Sequence, residues 1–185
     1  MFIELLTAIG IGTAALPSDA SEPTPILDMP DPTEVMCLAE NMYHEAKNQG
    51  TAGWSAVASV TFNRIRDSRF PNTVCEVVKQ GPTRESWKTR LLDLPDDERI
   101  YYPIRHRCQF SWYCDGKSDD IPSFDGKIFE MIYDYAELYL RPDIILLDIT
   151  DGATHYHADY VFPAWRKSKT KTVEIGDHIF YRWER

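Results

Sequence analysis

The strongest constraint on the fold is an amphipathic segment that opens with a clear helix start. Asp31, Pro32 and Glu34 supply an N-cap, a proline at the first helical position and an acid that can reach back in a capping box. The spacing predicts a helix over 31–48, with Gly50 placed to end it. Its apolar stripe, which must face a core, consists of Val35, Leu38, Ala39, Met42 and Ala46.

One acidic side chain interrupts this stripe. Glu45 follows Leu38 by seven positions and Met42 by three, so at about 100° per residue it projects on nearly the same azimuth. Burial raises the pKa of a carboxyl, and a carboxyl that is protonated at neutral pH is what a general acid requires. Position alone also allows a structural role, in which Glu45 pairs with Arg64 or Arg66.

The rest of the chain predicts two more helices and a small antiparallel sheet. Helical periodicity covers 51–66 and 124–140. Strand-like alternation covers 153–158, and a hairpin over 173–181 turns at Gly176. Helices therefore dominate the first half, and the predicted class is α+β.

Composition excludes two classes of function. The 185 residues include 29 acids and 20 bases, and the net charge of −9 argues against binding DNA or RNA by counterion release. No stretch approaches the roughly 20 apolar residues that a membrane-spanning helix needs. The four cysteines contain no C-x-x-C pair, so a zinc knuckle is not expected and three disulfide connectivities stay open.

The N-terminal part predicts a tail rather than a second domain. Residues 1–16 contain a short apolar run that resembles a signal peptide but carries Glu4 where a basic residue is expected, so export by this segment stays open. Residues 17–32 are rich in proline, aspartate and serine, which is typical of a linker. We therefore expect a tail and linker over 1–30 and one folded domain over 31–185.

Several short motifs together resemble the SleB/CwlJ-type cell wall hydrolases. They occur in the order seen in that family and span about Cys37 to Arg182. Any one of them would be weak evidence, whereas the set in register is specific. The motifs lie at Tyr43–Lys47, Ala56–Ala58, Asn63–Arg64, Arg69–Cys75, Cys108–Ser111, Gly152–His157 and Ile175–Tyr181.

The resemblance implies a lysozyme-like α+β domain that cleaves the MurNAc–GlcNAc strand of peptidoglycan as a lytic transglycosylase. The family's catalytic glutamate corresponds to Glu45. The long middle segment 85–108 and the short chain resemble phage-encoded members, which implies an endolysin or a virion-associated lysin acting on the wall in the periplasm or outside the cell. No cofactor and no metal are implied, and we expect a monomer.

A transglycosylase needs a single carboxylate. Glu45 can protonate the bridging oxygen and then act as base while the muramyl C6 hydroxyl attacks, which leaves a 1,6-anhydro end. A hydrolase of the usual kind needs a second carboxylate. Asp115, Asp151 and Asp159 lie near the motifs, but each fits a turn or capping role equally well.

Aromatic and amide side chains are the candidates for sugar binding, because sugar rings stack on flat faces and exchange hydrogen bonds with polar edges. For Phe110 and Trp112, packing in the core is an equally good interpretation. The alternation in 153–158 places His155 and His157 on one face and Tyr156 on the other. The candidate set is Gln109, Phe110, His155, Tyr156 and His157, with Tyr43 and Trp112 as second choices.

Two other functions compete with glycan cleavage. A metal-dependent amidase or peptidase could assemble a zinc site from His155 and His157 with His44, Glu45 and His178, although no HExxH motif occurs. A non-catalytic wall-binding or virion structural protein could keep the fold without using the acid. The presence of Glu45 on the apolar stripe disfavours this last alternative.

Overall fold

The first helix begins where the sequence predicts. In the computed structural model, which describes residues 29–184, helix α1 spans Pro32–Ala46 and a 3-10 turn at Lys47–Gln49 follows it. The carboxylate of Asp31 accepts a 2.8 Å hydrogen bond from the backbone N–H of Thr33, so the predicted N-cap is confirmed. The predicted tail before residue 29 lies outside the described residues.

The predicted capping box is wrong. The Glu34 carboxylate accepts a 2.6 Å hydrogen bond from the backbone N–H of Val74, at the start of a short helix α3 (Val74–Val78). The acid therefore satisfies a free amide of a neighbouring helix instead of one in its own first turn. A disulfide between Cys37 and Cys75 joins the same two helices.

Helix α2 (Gly50–Ile65) lies between the helical core and the sheet, which is why it is buried nearly all round. Gly50 is the first residue of α2, and its φ of +62° redirects the backbone after the preceding 3-10 turn. One side of α2 packs into the helical core through Trp54, Val57 and Ala58. The other side meets the sheet through Ala56 and Val60, which pack with Ala153 and Phe180.

The third predicted helix starts two residues later than expected. A 3-10 turn at Ser123–Asp125 leads into helix α5 (Gly126–Leu140). Ile132 and Ala136 are fully buried on the predicted edge, and Ile128 and Tyr139 are partly buried against the same core. Helix α5 packs mainly on α1, so the buried stripe of α1 lies inside a layer of three helices.

The C-terminal sheet has three antiparallel strands. Strands β3 (His155–Ala158), β4 (Thr170–Ile175) and β5 (His178–Arg182) form it, with β5 in the centre. Gly176 has a φ of +57° at the β4–β5 turn, so the predicted hairpin is confirmed. The α+β class is likewise confirmed.

The middle segment forms a separate small hairpin. Strands β1 (Thr83–Glu85) and β2 (Tyr101–Pro103) pair antiparallel, and the short helix α4 (Trp87–Leu91) lies between them. A disulfide between Cys108 and Cys114 follows, which with the first bridge selects one of the three open connectivities. None of the helices within residues 29–184 combines the length and the apolar character that crossing a bilayer would require.

Candidate active site

Glu45 lies at the C-terminal end of α1 and lines a pocket between the helices and the sheet. Its neighbours come from four parts of the chain that the fold brings together. Helix α2 contributes Arg64, and the loop after Cys108 contributes Gln109, Phe110 and Ser111. The strand side contributes Tyr156, His157, Ala158, Tyr160, Val161 and His178. We call this depression the Glu45 pocket.

The environment of Glu45 favours its protonated form. Burial raises the pKa of the carboxyl above its ordinary value, while the Tyr156 hydroxyl and the Arg64 guanidinium act in the opposite direction. The carboxyl can therefore hold a proton at a higher pH than an exposed glutamate can. Its anion still has a nearby positive charge when the proton leaves.

Arg64 is a buried cation in the wall of this pocket. Only 3% of the residue is exposed, and its Nε donates a 2.8 Å hydrogen bond to the carbonyl oxygen of Thr154. The guanidinium carbon lies 4.8 Å from the ring centroid of Phe110 and 5.4 Å from that of Phe70. Burial lowers the pKa of Arg64 to about 10, so the group stays charged at neutral pH. Among residues 29–184, its Nη1 has no hydrogen-bond partner.

Tyr156 completes the polar floor of the pocket. Its ring packs against Phe180 and His178, with centroids 5.3 and 4.8 Å apart. Its hydroxyl is buried, and within the described part of the chain no hydrogen bond of good geometry reaches it. Burial raises the pKa of Tyr156 well above its usual value, and the charge of Glu45 adds to this effect. The hydroxyl therefore remains a neutral donor beside the carboxyl.

Glu45 also lines a second depression on its other side. That depression is formed by the end of α1 and the following turn, together with the β4–β5 turn. Its lining residues include His44, Lys47, Asn48, Gln49 and Asp177. Glu45 thus contributes to the lining of two depressions.

Four of the predicted binding residues line the Glu45 pocket. Gln109 is exposed, whereas Phe110 is buried in its wall. Tyr156 and His157 come from β3, and both ring nitrogens of His157 are engaged, with the Ala158 carbonyl at 2.8 Å and the Tyr181 hydroxyl at 3.1 Å. His157 is therefore held rigidly.

The structure places His155 elsewhere. Its ring lies 5.4 Å from Trp165 and 5.7 Å from Trp183, on the outer side of the sheet. Burial lowers the pKa of His155 to about 3, and Arg64 contributes to this shift. His157 also contacts Trp165, at 5.7 Å, so the predicted alternation of β3 is confirmed. Because the strand alternates, only one of its faces meets the helices.

Tyr43 and Trp112 also lie away from the lining of the Glu45 pocket. Tyr43 is buried in the core, and its hydroxyl donates a 2.5 Å hydrogen bond to Asp125. The indole of Trp112 stacks on His44 at 4.4 Å, and its Nε1 donates to the side chain of Asn41. Both aromatic residues therefore pack the helical layer behind the site.

Two pocket residues with polar or aromatic side chains were missed by the sequence interpretation, besides the apolar Ala158 and Val161. Tyr160 is 78% exposed at the edge of the pocket, and Ser111 is exposed beside Phe110. The sequence signal for Tyr160 was an aromatic residue two positions after the strand that carries the Gly152–His157 motif. Ser111 lay inside a quoted motif but carried no separate signal.

The acids and histidines of the site remain apart. Within residues 29–184, no three histidine, cysteine or acidic side chains converge as metal ligands. Among these residues Glu45 is the one carboxylate that lines the Glu45 pocket. Asp115 accepts a hydrogen bond from the backbone N–H of Lys117, and Asp151 pairs with Arg182 at 3.0 Å. Both acids therefore serve local structure.

Comparisons with known proteins agree with this fold. The family model for Cell Wall Hydrolase matches residues 48–181, and no curated protein matches the chain. The catalytic domain of the Bacillus cereus SleB protein aligns with a TM-score of 0.53 and 21% identity, over 88% of this chain and 99% of that one. The catalytic domain of the germination-specific lytic transglycosylase SleB from Bacillus anthracis gives 0.46 and 19%, over 82% and 96%. The chain therefore belongs to the cell wall hydrolase family, of the SleB/CwlJ type that its motifs predict, and is a peptidoglycan-degrading enzyme.

Proposed function

We propose that this enzyme cleaves the MurNAc–GlcNAc linkage of peptidoglycan as a lytic transglycosylase, with Glu45 as its single acid and base. The observation that carries the proposal is that Glu45, whose carboxyl has a pKa raised by burial, lines two depressions. A glycan strand that occupies both depressions would place sugars on both sides of Glu45.

The proposed reaction has two proton transfers. The neutral Glu45 carboxyl gives its proton to the bridging oxygen as the bond between that oxygen and the anomeric carbon breaks. The muramyl C6 hydroxyl then bonds to the anomeric carbon and returns its proton to the Glu45 carboxylate. One product carries a 1,6-anhydro ring, and the enzyme recovers its starting state.

Arg64 and Tyr156 suit the intermediate state of this cycle. After the first proton transfer Glu45 is an anion in a partly buried site, where an unpaired charge is costly. The fixed guanidinium and the neutral tyrosine hydroxyl both favour the anion. They therefore stabilise the carboxylate at the moment when it must act as a base.

Sugar binding falls to the exposed side chains around the carboxyl. Gln109 offers an amide that both donates and accepts hydrogen bonds, and Tyr160 offers an exposed ring. Tyr156 and His157 line the pocket from the strand side, but the Tyr156 hydroxyl is buried and both ring nitrogens of His157 are engaged within the protein. We therefore assign Gln109 and Tyr160 to the glycan, with Phe110 as the buried wall behind them.

The biological setting is proposed on separate grounds. The two disulfides favour an oxidising compartment, which agrees with action on the wall in the periplasm or outside the cell. The middle segment resembles that of phage-encoded members, so we propose an endolysin or a virion-associated lysin that works as a monomer on peptidoglycan. Lysis of host cells when the gene is expressed with and without a holin separates these two roles.

Mass spectrometry of digested sacculi tests the proposed chemistry. We expect 1,6-anhydro-muramyl ends from the wild type and a rate lower by about 10²- to 10⁴-fold from Glu45→Gln. Glu40→Gln is the matched control, because Glu40 lies on the same helix, is also partly buried with a pKa raised by burial, and lines neither depression. Reducing sugar ends would indicate hydrolysis, and freed peptides would indicate an amidase.

A further inference from the structure

The small hairpin carries a pocket of its own, away from Glu45. It lies between the paired strands and the short helix that connects them. Its lining combines two aromatic rings and three basic side chains with one acid, which pairs with Arg99, and one serine: Trp87, Tyr102, Arg84, Lys88, Arg90, Glu85 and Ser86. We call this the hairpin pocket.

The two rings of the hairpin pocket are open to solvent. Trp87 is 62% exposed and Tyr102 is 56% exposed, whereas Trp54 in the helical core is 3% exposed. Exposed aromatic area of this size on a small hairpin gains free energy when a flat, partly apolar surface covers it. The face of a sugar ring is such a surface.

The charged side chains of the hairpin fall into two groups: acids that pair with Arg99, and basic side chains in the hairpin pocket. Arg99 lies 3.7 Å from Glu85, 3.6 Å from Asp93 and 3.4 Å from Asp96, so one cation gathers three acids. Within residues 29–184, no ion pair engages the bases of the hairpin pocket, Arg84, Lys88 and Arg90. On a chain with a net charge of −9, this is a local basic surface that suits an anionic ligand.

Backbone hydrogen bonds connect the hairpin to the wall of the Glu45 pocket. The N–H of Ile104 donates to the carbonyl of Pro82 at 2.9 Å, below the paired strands. The N–H of Gln109 donates to the carbonyl of Gln80, also at 2.9 Å. Because Gln109 lines the Glu45 pocket, the hairpin pocket is held by the same chain segment as the proposed sugar-binding side.

We propose that the hairpin pocket is a second binding site for peptidoglycan glycan strands, which holds the enzyme on its insoluble polymer. The aromatic rings would stack on sugars, and the bases would pair with the carboxylates of the peptide stems. The proposal rests on the proposed function only in taking wall glycan as the ligand. It requires no chemistry at the hairpin.

Binding to purified sacculi without turnover tests this site. The background is Glu45→Gln, which keeps the strand intact, and the test variants add Trp87→Ala with Tyr102→Ala, or Arg84→Gln with Lys88→Gln and Arg90→Gln. We expect each set to weaken binding at least about tenfold in a pelleting assay. The loss of binding caused by the three substitutions of basic residues should become smaller as salt rises, because salt already screens the electrostatic attraction that these residues supply.

Matched controls remove an exposed ring and an exposed base elsewhere. Phe124→Ala and Lys117→Gln change side chains that are as exposed as those of the hairpin but lie outside its pocket, and we expect unchanged binding. In the active enzyme, Trp87→Ala should slow digestion of sacculi and leave cleavage of short soluble glycan fragments unchanged. Equal binding by test and control variants would overturn the proposal.

Two further outcomes are decisive. Sacculi stripped of other wall polymers must still show the loss, and vesicles of anionic phospholipid must not reproduce it. A loss confined to the vesicles would assign the pocket to a membrane surface and overturn the glycan site. Failure of the proposed chemistry would show separately, as activity retained by Glu45→Gln. Pelleting of the test and control variants would then be compared at low temperature, before the sacculi are digested.

Discussion

Arg64 donates a 2.8 Å hydrogen bond from its Nε to the carbonyl oxygen of Thr154, which joins helix α2 to the residue before strand β3. This bond fixes a cation at the boundary between the helices and the sheet. The same guanidinium lies on the ring of Phe110 and faces the pocket that Glu45 lines. The electrostatics of the candidate site therefore depend on how the two parts of the fold meet.

Removing the charge of Arg64 should move the pH profile of activity. Glu45 must be protonated to act as an acid, so activity falls as pH rises through its pKa. Burial raises that pKa and Arg64 lowers it, so Arg64→Met should shift the falling limb of kcat/KM to higher pH. Rates on sacculi across the pH range give the measurement.

Arg64→Lys is the control for this shift, because lysine keeps the charge. We expect its falling limb to stay near that of the wild type. Both variants lose the bond to Thr154, and we expect unfolding free energy to fall by about 2 kcal/mol in each. If the falling limb of the pH profile for Arg64→Met stays at the wild-type pH, Arg64 has a structural role only.

Replacing Glu45 by glutamine should stabilise the fold at neutral pH. Burial raises the folded-state pKa of Glu45 above its unfolded value, so ionisation destabilises the native state as pH rises from about 4.5 through the folded-state pKa. A neutral amide at this position removes the effect. We expect a higher Tm at pH 7, by about 2–4 °C for each kcal/mol recovered.

The advantage of the Glu45→Gln variant should vanish at acid pH, where the wild-type carboxyl is neutral in both states. Thermal unfolding of both proteins between pH 4 and pH 8 gives the comparison. A constant difference across that range would contradict a raised pKa. Glu40→Gln should behave in the same direction, because burial also raises the pKa of Glu40, yet it should keep full activity.

The two disulfides should separate stability from activity. Cys37 and Cys75 are 38 residues apart, and removing this bridge should cost about 4 kcal/mol of stability, because the unfolded chain regains the entropy that the bridge removes. Cys108 and Cys114 are 6 apart, so removing their bridge should cost about 2 kcal/mol. Paired alanine variants and thermal unfolding give these values.

Activity should depend more on the Cys108–Cys114 bridge than on the Cys37–Cys75 bridge, which is the reverse of the order expected for stability. Gln109 directly follows Cys108, so loss of the shorter bridge frees a residue that lines the Glu45 pocket. We expect the Cys108→Ala/Cys114→Ala variant to lose more activity at a temperature where both variants are folded. Greater loss from the Cys37–Cys75 pair under those conditions would argue against a role for the Gln109 loop.

Tyr43→Phe should affect stability and leave substrate binding unchanged. The Tyr43 hydroxyl donates to Asp125 inside the helical layer, and its removal should cost about 1–2 kcal/mol. Tyr135→Phe is a matched control, because it also removes a tyrosine hydroxyl that lies 3.0 Å from a polar partner, Ser55, and outside the Glu45 pocket. We expect it too to lower stability and leave KM unchanged. Unfolding by urea and KM on soluble glycan fragments separate the two effects.

Tyr160→Ala should show the reverse pattern. Its ring is 78% exposed, so its loss should leave stability within about 0.5 kcal/mol and raise KM. If Tyr43→Phe raised KM and Tyr160→Ala did not, the structural assignment of these two tyrosines would be reversed.

Local patterns in the sequence predicted the elements of the fold well. The Asp31 cap, the helical stripe through Met42 and the turn at Gly176 depend on short-range backbone preferences, and each is present. The capping box failed for a long-range reason. The amide of Val74 comes from 40 residues away, and it takes the Glu34 carboxylate that local spacing had assigned to the first turn.

The same division applies to the candidate site. Seven-residue spacing placed Glu45 toward the interior, because helical geometry alone decides azimuth. The alternation of β3 likewise paired His155 with His157, but it did not show which face of the strand meets the helices. Only the packing of β3 on α2 puts Tyr156 beside the carboxyl and turns His155 toward the tryptophans of the outer surface.

By itself, the sequence determined that an acid sits on the apolar stripe of the opening helix, because residue spacing on a helix fixes direction. The tertiary structure decided what that acid faces. The Arg64 cation, the neutral Tyr156 hydroxyl and the two depressions that Glu45 lines come from segments far apart in the chain, and only their packing sets the dielectric and the charges around the carboxyl.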